Sequence, residues 1–234
     1  MESLLEFARG PLFRFSLAVM LLGLLRVVLL DISAAISAYR RAGDKTLPWT
    51  FILRRTLRWF FPFNRVFVNR PVYSLLSILF HVGLLIVPIF LYAHVELWRA
   101  AIGVGWPTLA KGWADWMTLG TIVFALALVI GRSASRESRF LSRKQDFLWP
   151  IVLLIPFVTG YACANLGLGS KVYQVSMLIH MLAGEVIFVF LPFTKIAHCV
   201  LMPFSHIISG LAWRFPADTD DLVCTTLDKK GAPV

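Results

Sequence analysis

Cysteine is scarce in this sequence of 234 residues, which contains only Cys163, Cys199 and Cys224. The three are widely separated, and none belongs to a C-x-x-C or C-x-x-C-H pattern. This spacing excludes a conventional zinc site, an iron–sulfur cluster and a c-type haem attachment. Any redox cofactor must therefore be held by other side chains.

Acidic residues are also few, since 13 Asp and Glu stand against 23 Lys and Arg. A basic balance has three ordinary explanations: nucleic acid, acidic lipid headgroups, or orientation signals beside membrane-spanning helices. Hydrophobic residues make up 58% of the chain, and its mean hydropathy is positive. That is far more apolar than a soluble domain of this length. The sequence therefore indicates a membrane protein and argues against a nucleic-acid partner.

Long apolar runs supply the architecture. A bilayer core of about 30 Å needs roughly 20 apolar residues in a helix, and an isolated segment in lipid can satisfy its backbone polar groups only as a helix. We predict an all-α, integral membrane bundle of five helices in a single domain, followed by a tail over 204–234. The predicted spans are 12–30, 72–97, 113–131, 147–166 and 174–203.

The cations are unequally distributed between the connections. By the positive-inside rule this distribution places both basic connections in the cytoplasm, with the N-terminus outside and the C-terminus inside. The stretch from Trp49 to Phe63 mixes aromatic residues with arginines, which is typical of an interfacial amphipathic helix between the first two spans. The cytoplasmic cations are Arg40, Arg41, Lys45, Arg54, Arg55, Arg58, Arg65 and Arg70 in one connection, and Arg132, Arg136, Arg139, Arg143 and Lys144 in the other.

Four of the five histidines fall inside predicted spans: His81 and His94 in the second, His180 and His198 in the fifth. Ionisable groups in hydrocarbon are rare and usually functional, and imidazole is a standard axial ligand of haem iron. Since the two spans run antiparallel, His81 matches His198 in depth near the cytoplasmic side, and His94 matches His180 near the outer side. We therefore predict two b-type haems, one for each pair of axial ligands.

Helical geometry places the two histidines on one face in the fifth span but not in the second. His180 and His198 are 18 residues apart, or five turns of a continuous helix, which would place them on one face about 27 Å apart. His81 and His94 are 13 residues apart, so their rings would differ by about 140° around an ideal helix. A kink or local unwinding at Pro88 between them would reorient His94 toward the fifth span. We interpret His206, just beyond that span, as structural.

Two stretches resemble a known family. The segment IHMLAGEVIFVFLPFTKIAHCVLMPF, from Ile179 to Phe204, and the segment ILFHVGLLIVPIFLYAH, from Ile78 to His94, are similar to the last and the second helix of respiratory nitrate reductase gamma subunits. They also resemble the related cytochrome b subunits of heterodisulfide-reductase-like menaquinol complexes. The five crossings and the outer N-terminus agree with that family.

The resemblance implies a di-haem cytochrome b subunit of a respiratory complex in a prokaryotic cytoplasmic membrane. Such a subunit oxidises menaquinol or another quinol near the outer haem, and electrons pass by the inner haem to an iron–sulfur subunit on the cytoplasmic face. As an enzyme the chain would be only the quinol-oxidising, electron-transferring part of a multi-subunit oxidoreductase. We expect the cytoplasmic loops and the tail from Phe215 to Val234 to form the docking surface.

Three further residues are candidates for this chemistry. By the resemblance, Lys111 stands at the quinone, where its ammonium would bond a quinone carbonyl; alternatively, it extends to the membrane surface. Glu185 lies inward of His180 and either relays a quinol proton or is a protonated acid bonded to a neighbouring group. Arg70 is our first choice among the cytoplasmic arginines for pairing with a propionate of the inner haem.

Two other classes of protein remain open at this stage. A proton-coupled transporter or channel would use the intramembrane histidines and Glu185 as a path, although the chain shows no inverted repeat and no paired broken helices. A purely structural anchor would dock a soluble enzyme on the membrane and would tolerate replacement of His94 or His180.

Overall fold

The computed structural model describes residues 1–41, 49–60, 70–201, 204–205, 208 and 219–228. His206 and much of the tail, including Phe215, lie outside the described residues, so the predictions made for them are not addressed. Within these ranges every regular element is a helix.

In the part of the chain that the structure describes, five helices are long and apolar enough to cross a membrane. We number in chain order the helices whose bounds lie within the described residues, so the five are α1, α3, α5, α7 and α8, and the other four are shorter. The predicted all-α fold with five membrane-spanning helices is confirmed, whereas its orientation in the membrane stays a prediction. The long helices are α1 (Glu2–Arg41), α3 (Pro71–Phe90), α5 (Lys111–Ala134), α7 (Lys144–Asn165) and α8 (Ser170–Phe190), and the short ones are α2 (Trp49–Phe60), α4 (Tyr92–Ile102), α6 (Arg136–Leu141) and α9 (Thr219–Thr226).

The amphipathic helix predicted between the first two spans is present as α2. Its place on the cytoplasmic membrane surface stays a prediction. Helix α1 is longer than the predicted span 12–30 and contains one π-helical turn over Ala8–Leu12, which includes Pro11. Proline cannot donate a backbone hydrogen bond, so a locally widened turn at this residue is physically reasonable.

Helices α3, α5 and α7 share a small apolar core. Phe80, Ala125 and Leu154 are buried at its centre, one from each helix. The absence of a side chain at Gly83 of α3 allows close approach to α5, because a Cβ atom there would overlap the hydroxyl of Thr121. That hydroxyl donates to the carbonyl of Met117 at 2.6 Å, so its polar atom is satisfied within its own helix.

The second predicted span is interrupted. Helix α3 ends at Phe90, Leu91 is extended with φ −66° and ψ 130°, and α4 begins at Tyr92. The sequence predicted continuous helix over 72–97 with a kink or unwinding at Pro88. The unwinding is present, but it lies three residues later, at Leu91.

The fifth predicted span is also interrupted, and here the prediction over 174–203 was wrong. Helix α8 ends at Phe190 and is followed by separate 3-10 turns over Leu191–Phe193 and Lys195–Ala197, with an extended Thr194 between them. Pro192 has no amide hydrogen for the helical ladder, which is a sufficient physical reason for the break. Because α8 does not continue to His198, the prediction that His180 and His198 lie five turns apart on one face of a single helix was wrong.

Backbone contacts divide the chain into two compact units. The first contains Met1–Ala18 and Phe63–Phe190, and holds α3 to α8 with His81, His94 and His180. The second contains Val19–Pro62 and Leu191–Val234, and holds His198. In the second unit, Gly23 of α1 leaves room for the ring of Pro192. The expected single domain stays a prediction.

Candidate functional site

Two of the predicted ligands, His94 and His180, lie side by side in the first unit. Their ring centres are 6.0 Å apart, and the ring planes are inclined by only 24°. His94 stands in the first turn of α4, and His180 in the middle of α8. The predicted proximity of this pair is confirmed; its role as a ligand pair stays a prediction.

The position of His94 follows from the way α3 ends. The last four carbonyls of a helix have no partner within it and need other donors. Here each one has a donor from the segment that follows. The amide of Leu91 donates to Val87 O, the His94 ring to Pro88 O, the Trp106 indole to Ile89 O and the Leu109 amide to Phe90 O, at 3.0, 2.9, 2.8 and 2.9 Å respectively.

His94 is therefore part of the C-terminal cap of α3, and Trp106 donates to the next carbonyl along the helix. Trp106 also contacts Trp98, which lies one turn beyond His94 in α4, with ring centres 6.4 Å apart. The break at Leu91 and the loop that carries Trp106 and Leu109 therefore hold the imidazole in place together.

Helix α7 holds the ring of His180 through a hydrogen bond and a close contact. Its Nδ1 donates to the carbonyl of Pro156 in α7 at 2.8 Å. The ring lies against Gly160, one turn later, where a Cβ atom would come within 2.9 Å of His180 Cε1 and 3.1 Å of Nδ1. Gly160 thus provides the space in which the imidazole reaches its backbone partner.

In the other two predicted ligands, Nδ1 also donates to a backbone carbonyl. His81 Nδ1 donates to Ser77 O at 2.7 Å, and His198 Nδ1 donates to Lys195 O at 2.7 Å. Since His81 and His198 belong to different units, their predicted pairing as ligands of an inner haem stays a prediction.

All four rings consequently carry hydrogen on Nδ1, because a carbonyl oxygen can only accept. In a neutral imidazole the lone pair is then on Nε2, which is the protonation state that metal-binding histidines require. A metal midway between two coaxial imidazoles, with bonds of about 2 Å, separates the ring centres by roughly 6 Å. The 6.0 Å spacing of the His94 and His180 rings is close to that value, and ring planes inclined by 24° are also those of two stacked imidazoles without a metal. The described residues include no group of three or more His, Cys, Asp or Glu that would hold a metal ion by themselves.

Glu185 lies five residues beyond His180 in α8 and is buried, with 6% of its surface exposed. Its Oε2 has no hydrogen-bond partner among the residues that the structure describes. A buried carboxyl without a partner is costly, so the group is a candidate for proton exchange or for a ligand contact.

Lys111 is the first residue of α5 and is exposed. It follows Leu109, whose amide caps α3, by two residues. The backbone at Lys111 is therefore tied to the same helix end as His94. Asp115, one turn further along α5, accepts a hydrogen bond from Asn165 at 2.9 Å and joins α5 to the end of α7.

Arg70 has protein partners. Its guanidinium donates to Ser138 Oγ at 2.9 Å and lies 3.8 Å from the carboxylate of Glu137 in α6. These contacts join the start of α3 to the connection between α5 and α7. The predicted contact of Arg70 with a propionate stays a prediction, and it would compete with this pairing.

Sequence reasoning missed two residues that shape the site, Gly160 and Trp106. The glycines closest in sequence to two of the predicted ligands do not provide such a space: Thr121 fills the space at Gly83, and no atom lies within 4 Å of a Cβ at Gly184. The spacing of Pro156 and Gly160 was a usable signal, since a glycine one turn after a proline marks a face of α7 where a side chain can approach the backbone.

The fold and the site together define a multi-pass helical membrane protein with a pair of apposed histidines between a broken helix and its neighbour. Over 199 residues, covering 83% of this chain and 87% of its relative, the sequence is 31% identical to a protein of Nitratidesulfovibrio vulgaris strain Hildenborough, whose name is given only as "Protein". The chain belongs to the same family as that protein. No family model matches the chain, and no solved structure matches it.

Proposed function

We propose that this chain is a di-haem cytochrome b subunit of a respiratory membrane complex, of the nitrate reductase gamma or heterodisulfide-reductase-like kind. The observation that carries the proposal is the His94–His180 pair, with ring centres 6.0 Å apart and both Nδ1 atoms donating to backbone carbonyls. Haem would supply one-electron redox chemistry in the membrane.

In this proposal, the residues of the chain set the properties of the ligands. Pro88 O and Pro156 O accept from the two Nδ1 atoms, which orients each ring and raises the basicity of Nε2. His81 and His198, with equivalent Nδ1 donation, are the proposed ligands of the second haem. The buried apolar cluster of Phe80, Ala125 and Leu154 joins α3, α5 and α7.

The proposed exchangeable substrate is a quinol, menaquinol or another, and it would bind at the end of the bundle where Lys111 and the cap of α3 lie. Lys111 would donate a hydrogen bond to a quinone carbonyl. Glu185, buried and with an oxygen lacking a partner in the described chain, would accept a proton released by quinol. An iron–sulfur subunit on the cytoplasmic face is the proposed electron partner.

The proposal is tested by quinol-driven reduction in membranes that contain the complex. We expect Glu185→Gln to slow the reduction of the b-type haems by a menaquinol analogue at least tenfold while the oxidised visible spectrum is unchanged, because glutamine keeps the shape of the side chain but cannot accept the proton. Asp115→Asn is the control, because this carboxylate already pairs with Asn165. Unchanged reduction by the Glu185 variant would remove that residue from the quinol reaction.

The observations on Glu185 also fit a proton-coupled transporter, in which the histidines and the carboxyl would form a path. A membrane preparation without b-type absorption bands would favour that reading and would exclude the cytochrome.

A further inference from the structure

Helix α6 (Arg136–Leu141) lies in the connection between two membrane-spanning helices and is fixed by contacts on one side. The hydroxyl of Ser135 caps it by accepting from the Ser138 amide at 3.3 Å, and it also donates to Glu137 Oε2. Arg139 donates to Ser133 O and Ala134 O at 2.5 and 3.1 Å, at the end of α5. The bond from Arg70 to Ser138 joins the same helix to the start of α3.

The opposite side of α6 is uncovered. Phe140 is 90% exposed and Leu141 is 79% exposed, the two largest values among the exposed apolar residues described. At about 100° per residue, Phe140 lies close to Arg136 around the helix, and Leu141 lies close to Glu137. Ser138 and Arg139, which hold α6 in place, lie on the other side. The helix therefore presents an aromatic and an aliphatic side chain away from Ser138 and Arg139. Glu137 lies between the two around the helix, where it accepts from Ser135 and lies 3.8 Å from Arg70.

The location of α6 indicates what covers this face. Helix α5 ends at Ala134, and α7 begins at Lys144. Helix α6 therefore joins two membrane spans on one side of the membrane. The 24 residues of α5 extend about 36 Å, more than the roughly 30 Å of hydrocarbon, so these ends reach the headgroup layer. Between 136 and 144, the cations Arg136, Arg139, Arg143 and Lys144 stand against the single carboxylate of Glu137.

We propose that the exposed face of α6 is a lipid-binding surface for an anionic leaflet. Phe140 and Leu141 insert between acyl chains just below the headgroups, while Arg136 and Lys144 bind lipid phosphates. Positive charge beside an aromatic and an aliphatic side chain at the membrane boundary is the combination that anionic headgroups attract. A six-residue helix with two apolar side chains is too small for a stable protein interface of about 1,000 Å².

The proposal is tested by the depth of a nitroxide label at Phe140→Cys. The label is placed in a chain whose three native cysteines are replaced by serine, reconstituted in vesicles of phosphatidylcholine with phosphatidylglycerol. We expect collisions with oxygen to exceed those with an aqueous nickel chelate at least threefold, and this ratio to fall at least twofold in vesicles of phosphatidylcholine alone. The matched variant Arg136→Gln/Lys144→Gln should remove that dependence on phosphatidylglycerol.

Frequent collision with the nickel chelate in both kinds of vesicle would place Phe140 in water and overturn the proposal. Protection from both reagents only when a copurifying subunit is present would identify a protein interface instead, and would overturn it as well. The native chain offers a second measurement that needs no cysteine replacement. A photoactivatable phosphatidylglycerol should label the peptide over 136–141 at least twofold more than the corresponding phosphatidylcholine probe, and equal labelling would contradict the proposal.

Discussion

At the scale of single residues, the site depends on groups that are not themselves ligands. His180 reaches Pro156 O only because residue 160 has no side chain. His94 reaches Pro88 O only because α3 stops and leaves that carbonyl without a helical donor. Backbone acceptors and a missing Cβ thus orient the two imidazoles.

Gly160→Ala should displace His180, because the new methyl group would overlap its ring. On the proposed function, we expect one of the two low-spin ferric signals in the electron paramagnetic resonance spectrum of the purified protein to be lost or shifted, while the other is unchanged. Gly184→Ala adds the same group to α8 in open space and is the matched control. Two unaltered signals in the Gly160 variant would show that His180 is not held as an axial ligand.

Trp106→Phe should destabilise the end of α3. The indole is the donor to Ile89 O, and its removal leaves a carbonyl without that partner, at a cost of about 1 to 2 kcal/mol. The free energy of unfolding in detergent measures the effect. Trp113→Phe is the control, because Trp113 is 69% exposed. Equal stability of the two variants would mean that water or lipid replaces the indole.

These residues also show what sequence can reveal about a site. The histidines were identified because imidazole is unusual within hydrocarbon, and depth predicted that His94 would meet His180. Gly160 leaves room for a ring from another helix, and Trp106 donates to the last turn of α3 from a loop. The spacing of Pro156 and Gly160 indicates an open face of α7, but local composition does not state which side chain will reach it.

At the scale of elements, hydrophobicity predicted five long helices but not where two of them break. The hydropathy of the sequence stays high through Leu91 and through Leu191–Phe193, so it does not show either break. Both breaks depend on backbone hydrogen bonds. At the end of α3, carbonyl oxygens accept from the His94 ring and from amides of the following segment. After α8, Pro192 has no amide hydrogen to donate to the helix. The first break moves His94 toward His180, which an unbroken helix would not do.

Gly83→Ala tests the close packing of α3 on α5. A methyl group at this position would overlap the Thr121 hydroxyl, so the helices must separate or the threonine must rotate. We expect a loss of about 1 to 3 kcal/mol in the free energy of unfolding, typical of overpacking. Gly131→Ala is the comparison, because its nearest atom, Cδ2 of Tyr73, is at an ordinary 3.9 Å. No difference between the variants would show that this interface is loosely packed.

At the scale of the whole molecule, the central claim is that two histidine pairs hold two haems in one small membrane chain. The described structure brings His94 and His180 together. The pairing of His81 with His198 stays a prediction.

The most direct measurement is the haem content of the purified chain, taken from pyridine haemochrome absorbance per mole of protein together with the reduced-minus-oxidised spectrum. We predict two b-type haems in the native chain. We predict one in His94→Ala and one in His180→Ala, with the same haem lost from both variants. A native chain without b-type bands, or two variants that each keep two haems, would contradict the account.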